Sequence, residues 1–266
     1  MKSSALTILA SFSLAVLHAQ DGRTFEVTSV KESRSLEYRA VFQPGPTGIN
    51  IQYATLQEIV AWAHDMLPRD VTGGPDWVRS TRFEVAGRSG APPLKPSEIR
   101  PMLRALLATR FGLDAVIEPV EKPVYTLVRT DREGRPGPDL RTPRGGCTRP
   151  TDEFKEISLV PVQVLRMEGC GIAYATSPGG RLDAVFGQSA TIPALVKVLS
   201  RYMDRPVIDR TELSGEFDLM LYSASGSIEG FELLSSLQDR LGLKLESTRA
   251  EVPVVVIRRI QPPTEN

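Results

Sequence analysis

Histidine is nearly absent. The 266-residue chain has two, His18 and His64, and a Ser-His-Asp arrangement would have to use one of them. No GxSxG elbow accompanies them. His64 falls late in a helical run beside Asp65, so it reads as a helix-surface or boundary residue. Cysteine is equally scarce: Cys147 and Cys170 are the whole set, with no CxxC and no neighbouring histidine, which disfavours a reactive thiolate. A zinc site needs three or four ligands, and this inventory is a poor source. A charge excess is also missing, because Lys+Arg and Asp+Glu both total 32. Without a basic surplus to neutralise phosphates, nucleic acid is not an expected partner. Gly73-Gly74 and Gly179-Gly180 lack the phosphate-loop lysine and the dinucleotide spacing, so they read as turns. No metal and no cofactor is expected.

What is present describes a folded, turn-rich protein. Hydrophobic residues are 41% and charged residues 24%, with 21 Pro and 21 Gly. The length allows one large domain or two small ones. The chain opens with Met1-Lys2, an apolar run over residues 5–17, and a polar turn after Ala19. That is the layout of a secretory signal peptide, too short for a comfortable membrane span, and cleavage is expected after Ala19. No stable membrane span is expected to remain. Export makes the cysteine pair a disulfide candidate. The bridge would close a 22-residue segment and stabilise by roughly 3 kcal/mol if unstrained.

Along the chain, Phe25-Glu26-Val27-Thr28-Ser29-Val30 and Ile49-Asn50-Ile51-Gln52-Tyr53 alternate apolar and polar residues and predict half-buried strands. Thr55 with Glu58 makes a capping-box pattern for a helix whose apolar face is Leu56, Ile59, Val60 and Ala63. That helix is expected to fade near Leu67, ahead of Pro68. Residues 71–77 predict a turn-rich connector, residues 82–86 a strand, and Ser97 the cap of a second amphipathic helix stopped by Gly112. Residues 113–119 and 124–130 predict two strands. Residues 131–150 are rich in Gly, Pro and Arg and predict an exposed linker. Its arginines (Arg132, Arg135, Arg141, Arg144 and Arg149) read as a solvated basic loop, with attraction of an anion or lipid headgroup as the alternative. Short strands are expected over residues 157–165 and 172–174, and a further strand over residues 181–186.

Two offsets recur. Thr55-Leu56 matches Thr191-Ile192 and Val71 matches Val207, 136 residues apart; Phe111-Gly112-Leu113 matches Leu241-Gly242-Leu243, 130 apart. Shared order at near-constant spacing predicts an internal repeat. The expected fold class is α+β, with two duplicated small units, each of two helices packed on a short mixed or antiparallel sheet. The expected bounds are a signal peptide over residues 1–20, a first unit over 21–130, a linker with the cysteine pair over 131–180, and a second unit over 181–266.

Several words of this chain carry a resemblance. Phe25-Glu26-Val27-Thr28-Ser29-Val30-Lys31, Gly73-Gly74-Pro75-Asp76-Trp77, Met102-Leu103-Arg104-Ala105-Leu106-Leu107 and Arg205-Pro206-Val207-Ile208-Asp209-Arg210-Thr211 resemble the soil-associated proteins of acidobacteria, a family of unknown function. The resemblance implies no established activity and no catalytic set. Where that pattern often has Tyr after Trp-Ala, this chain has His64 after Trp62-Ala63, which argues against a family-wide histidine chemistry. Residues 191–199, 206–219 and 231–243 are similar to the short N-terminal domain of secretins and TonB-linked receptors. That likeness implies a protein-binding role in the envelope by analogy of fold alone.

The candidate binding residues are Asp76, Trp77, Asp209 and Arg210, in the two matched connectors. Asp tying a turn and Trp packing on the sheet are the structural alternatives. The function expected is an exported, non-enzymatic binding module with an envelope protein as partner. The alternative is a secreted hydrolase using carboxylates, for which Asp152-Glu153 is one pair and two convergent carboxyls in a pocket would be the sign.

Overall fold

The structure is a computed structural model. It describes residues 24–263 apart from 36, 38, 91–93, 131–135, 144, 146–154, 159–169, 177–181 and 223–229. The signal layout, Cys147, Asp152-Glu153, Gly179-Gly180 and the linker arginines other than Arg141 lie outside the described residues. The chain divides into two compact units, Met1–Ile117 with Val255–Asn266, and Glu118–Val254.

In the first unit Val27–Glu32 (β1), Val41–Gly45 (β2), Gly48–Thr55 (β3) and Arg82–Arg88 (β5) form an antiparallel sheet in the order β1-β5-β3-β2. The alternating runs read as strands are strands, because their inward positions Val30, Ile49, Ile51, Phe83 and Val85 reach the core while intervening residues stay wetter. Leu56–Ala63 (α1) and Pro96–Phe111 (α3) supply the rest of that core through Ile59, Val60, Ile99, Met102, Leu103, Leu107 and Phe111. Thr55 caps α1 as predicted: its Oγ1 accepts from the Glu58 amide at 3.3 Å, and Glu58 accepts from the Thr55 amide at 2.7 Å. The helix ends earlier than expected, at Ala63, because Asp65 turns left-handed (φ 56°). Helix α3 begins at Pro96 rather than after Ser97, since Pro suits a first helical position and Glu98 takes the Lys95 amide at 2.8 Å. Gly112 stops it in the left-handed region (φ 56°). Val71–Gly73 (β4) pairs in parallel with residues 255–257, and the four-residue helix Trp77–Ser80 (α2) follows it.

In the second unit Leu140–Arg141 (β7), Lys155–Ser158 (β8), Gly171–Thr176 (β9), Leu182–Ala190 (β10) and Phe217–Tyr222 (β12) form a sheet in the order β7-β12-β10-β9-β8. Only the β8–β9 pair is parallel. Ile192–Tyr202 (α4), capped by Thr191, packs on β9 and β10. Gly230–Ser236 (α5) runs into a π-turn over Leu237–Leu241, which Gly242 ends at φ 67°. The buried centre of this unit is Leu127, Val185, Leu195, Leu199, Leu221, Leu237 and Leu241.

Asp114–Arg129 (β6) and Leu243–Arg259 (β13) are long strands, and the division between units falls inside each. Two separate strands are the expectation across residues 113–130, given Pro119 and Pro123. The strand is continuous because those prolines meet no ladder. The Tyr125 amide donates toward Pro206, next to Val207–Asp209 (β11), so the odd-numbered nitrogens of β6 face that edge. There β11 pairs only with residues 125–127, and the missing N–H of Pro119 and Pro123 costs nothing.

The fold class is α+β, but sheet dominates, and the expected duplicate units of two helices on one short sheet do not hold. Strands β1, β2, β7, β8 and β9 have no place in the expected repeat, and α2 and the π-turn break the helix count. What the spacing did mark is local: Thr55 and Thr191 are both helix caps, and Gly112 and Gly242 both end helices left-handed. The expected exposed linker is corrected in part. Residues 137–141 pack within the second unit, with Leu140 only 2% exposed and paired to Leu219. Among the described residues no helix is long and apolar enough to cross a membrane.

Candidate functional site

The two connectors marked by sequence lie in different units. Trp77 is half-buried against the first core, edge-on to Phe83 at 6.2 Å, and Phe83 meets Phe111 in the same way at 5.3 Å. Asp76 is exposed at the start of α2 and makes no side-chain cap. Asp209 ties its own turn: its Oδ1 accepts from the Thr211 amide at 2.9 Å and hydroxyl at 2.8 Å, and Thr211 is 1% exposed. Arg210 is exposed, and its amide donates to the Leu127 carbonyl. Trp77→Ala is therefore expected to cost about 2 kcal/mol, below the usual figure for a fully buried Trp, read as a lower urea midpoint. Cys170 is buried, 4% exposed, immediately before β9.

His64 closes α1 and is half-buried. Burial, and secondarily the Arg104 guanidinium, hold its pKa below the ordinary 6.5. The native state thus binds fewer protons here than the unfolded chain. The stability this group contributes is present above pH 6.5 and lost as pH falls below 6.5 through the depressed value. Urea unfolding from about pH 7.5 down to about pH 5 should show a decline in wild type that flattens in His64→Gln.

A cleft of about 290 Å³ opens in the second unit, lined by residues 186–188 and 218–220 together with Asp139 and Arg141. Its floor follows from the alternation of β12. Leu219 and Leu221 turn into the core at 4% and 0% exposure, which sends Asp218 and Met220 to the other face. Strand β10 supplies Phe186 to Gln188 just before a bulge, where Ser189 is left-handed (φ 47°) and its amide donates to Asp218 Oδ1 at 3.0 Å. The wall is the strap carrying Asp139 and Arg141. Its backbone is fastened on two sides, by Gly137 N–H to Leu241 O and Asp139 N–H to Arg240 O, and by Met220 N–H to Asp139 O.

Charge reinforces the strap. Arg240 Nη1 lies 2.9 Å from Asp139 Oδ2 while its guanidinium sits 3.5 Å above the Tyr222 ring, a cation–π contact. Arg141 Nη2 reaches the other Asp139 oxygen at 3.5 Å. The left-handed Ser189 thus sits next to the lining residue Gln188, and the strap that forms the wall is fastened to the π-turn, features that recur at functional sites.

Sequence reasoning misses this place. In the sequence Arg141 is only one of several loop arginines. The alternation of residues 217–222 is the available signal for Asp218 and Met220; the docking of Asp139, far away along the chain, has none. Among the described residues no group of three or more His, Cys, Asp or Glu is placed to hold a metal ion.

No curated protein and no solved structure matches the chain. One family model does, over residues 57–260, and by that match the chain belongs to the family described as proteins of unknown function, DUF3738.

Proposed function

We propose that this protein is an exported, non-enzymatic binding module of the cell envelope, and that the cleft of the second unit engages its partner. The observation that carries the reading is the pairing of an exposed apolar side chain with opposed charges in one opening: Met220 is 40% exposed, two residues along β12 from Asp218, which the strand register sets opposite Arg141. Methionine adapts to varied partners, and a mixed rim supplies orientation. Export rests on the signal layout of residues 1–19. An oxidising compartment would favour a Cys147–Cys170 bridge; no described cysteine is free, and thiol counting on denatured, unreduced protein should find no reactive thiol. The likeness of the matched words to soil-associated acidobacterial proteins and to secretin-type N-terminal domains fits the same setting.

One observation favours the hydrolase alternative, since Asp139 and Asp218 line the same cleft from different elements. Their contacts favour binding. Asp139 has a guanidinium at each oxygen, and Asp218 accepts from a backbone amide. A general acid needs a carboxyl free to hold and deliver its proton. Capture from envelope extract should fall at least tenfold in Met220→Asp with the urea midpoint unchanged. Turnover of a polysaccharide or peptide, abolished by Asp139→Asn or Asp218→Asn, would replace the binding reading with the enzymatic one.

A further inference from the structure

We propose that the second-unit cleft recognises the free carboxyl terminus of a peptide, Arg141 taking the carboxylate and Met220 the terminal apolar side chain. This rests on the binding reading of the same cleft and names its ligand. Arg141 is the lining cation with donors to spare; Asp218, opposite it across the β7–β12 pair, takes the Ser189 amide at 3.0 Å. The Arg141 guanidinium offers five N–H donors, yet among the described residues it makes two contacts: Nε–H to the Pro138 carbonyl, and Nη2 to Asp139 at 3.5 Å. That second distance is long for a charge-assisted pair, which closes to about 2.7–2.9 Å. The side chain is 53% exposed. Asp139 does not depend on it, because Arg240 holds the other oxygen at 2.9 Å. A planar fork of this kind matches a carboxylate with two parallel hydrogen bonds, which an ammonium cannot do.

The rest of the cleft selects what carries the carboxylate. Met220 makes the opening apolar beside the arginine, with the buried Phe186 paired to it on the same face, and Gln188 adds an amide at the rim. A volume of about 290 Å³ is at the small end of ligand sites, room for one residue and not for a folded surface. A carboxylate and an apolar side chain on the same carbon are the chemistry of an apolar C-terminal residue. An internal Asp or Glu brings the acid without the apolar group.

The test uses the full exported chain and acetylated tripeptides ending in leucine or phenylalanine, each as free acid and as carboxamide. The readout is the NMR shift of the Met220 methyl. The acid should bind at least tenfold more tightly than the amide. Arg141→Met should erase that difference, with an unchanged circular dichroism spectrum, and Arg141→Lys should retain part of it. Equal binding of acid and amide, an undiminished preference in Arg141→Met, or no Met220 shift with any peptide would each overturn the proposal. So would equal binding of an amidated tripeptide carrying an internal glutamate. If an envelope partner is lost in Met220→Asp yet peptides bind regardless of amidation, this inference fails and the binding reading stands. If capture survives Met220→Asp, the role of the cleft itself fails.

Discussion

Gly48→Ala is expected to destabilise the protein by on the order of 3 kcal/mol, the sum of backbone strain and forced overpacking. Gly48 begins β3 with φ 142°, and a Cβ there would lie 1.9 Å from the Gly87 carbonyl oxygen and 3.1 Å from the Arg88 Cα. Both obstacles are backbone of β5, so no side chain can swing aside. The β3–β5 pairing runs Gly48↔Arg88 and Ile49↔Gly87, and β5 also carries β1. Displacing β3 therefore disturbs the centre of the sheet, not a free edge. Gly45 is the matched control: it lies three residues away, and a Cβ on it would meet nothing within 4 Å. Gly45→Ala should leave the urea midpoint within the small range of a surface change. Equal midpoints for the two variants would refute the close approach.

Gly137→Ala is expected to cost about 2 kcal/mol as an overpacking change, and to open the cleft. A Cβ on Gly137 would sit 2.3 Å from the Arg240 carbonyl oxygen and 2.5 Å from the Gly242 nitrogen. The strap must then lift from the π-turn, and the bonds from Gly137 N–H to Leu241 O and from Asp139 N–H to Arg240 O go with it. Arg240 would keep Tyr222 beneath it but lose Asp139, its ion-pair partner. Amide exchange should report this locally, with faster exchange at Gly137, Asp139 and Met220 and little change in α1 or α3. The same variant should weaken capture at the cleft, because Asp139 and Arg141 are its wall. Unchanged exchange at Asp139 would mean that the strap is held by something other than its backbone fit.

The local elements are legible because their signals are local. Thr55 with Glu58, Thr191, Gly112 and Gly242 act as caps and stops within a few residues of where they stand, and alternation names the central strands. The failures have a common cause. Pro119 and Pro123 look like strand breakers because their cost depends on which edge of β6 is paired, and β11 is distant in the chain. Residues 136–143 look like linker because Gly, Pro and Arg describe a turn equally well whether it faces water or another element. Trp77 makes an edge-on ring contact with Phe83, and Asp209 ties a turn within three residues.

By itself the sequence determined that the chain holds two histidines and two cysteines, that it is α+β, and that Thr55 caps a helix and Gly112 stops one. Those properties follow from residue inventory and from interactions a few positions apart. Only the tertiary structure decided that sheet prevails over helix, and that a strap joins Asp139 and Arg141 to Asp218 and Met220 around one opening. Such a site is assembled by long-range pairing, whose register depends on partners that no local pattern names.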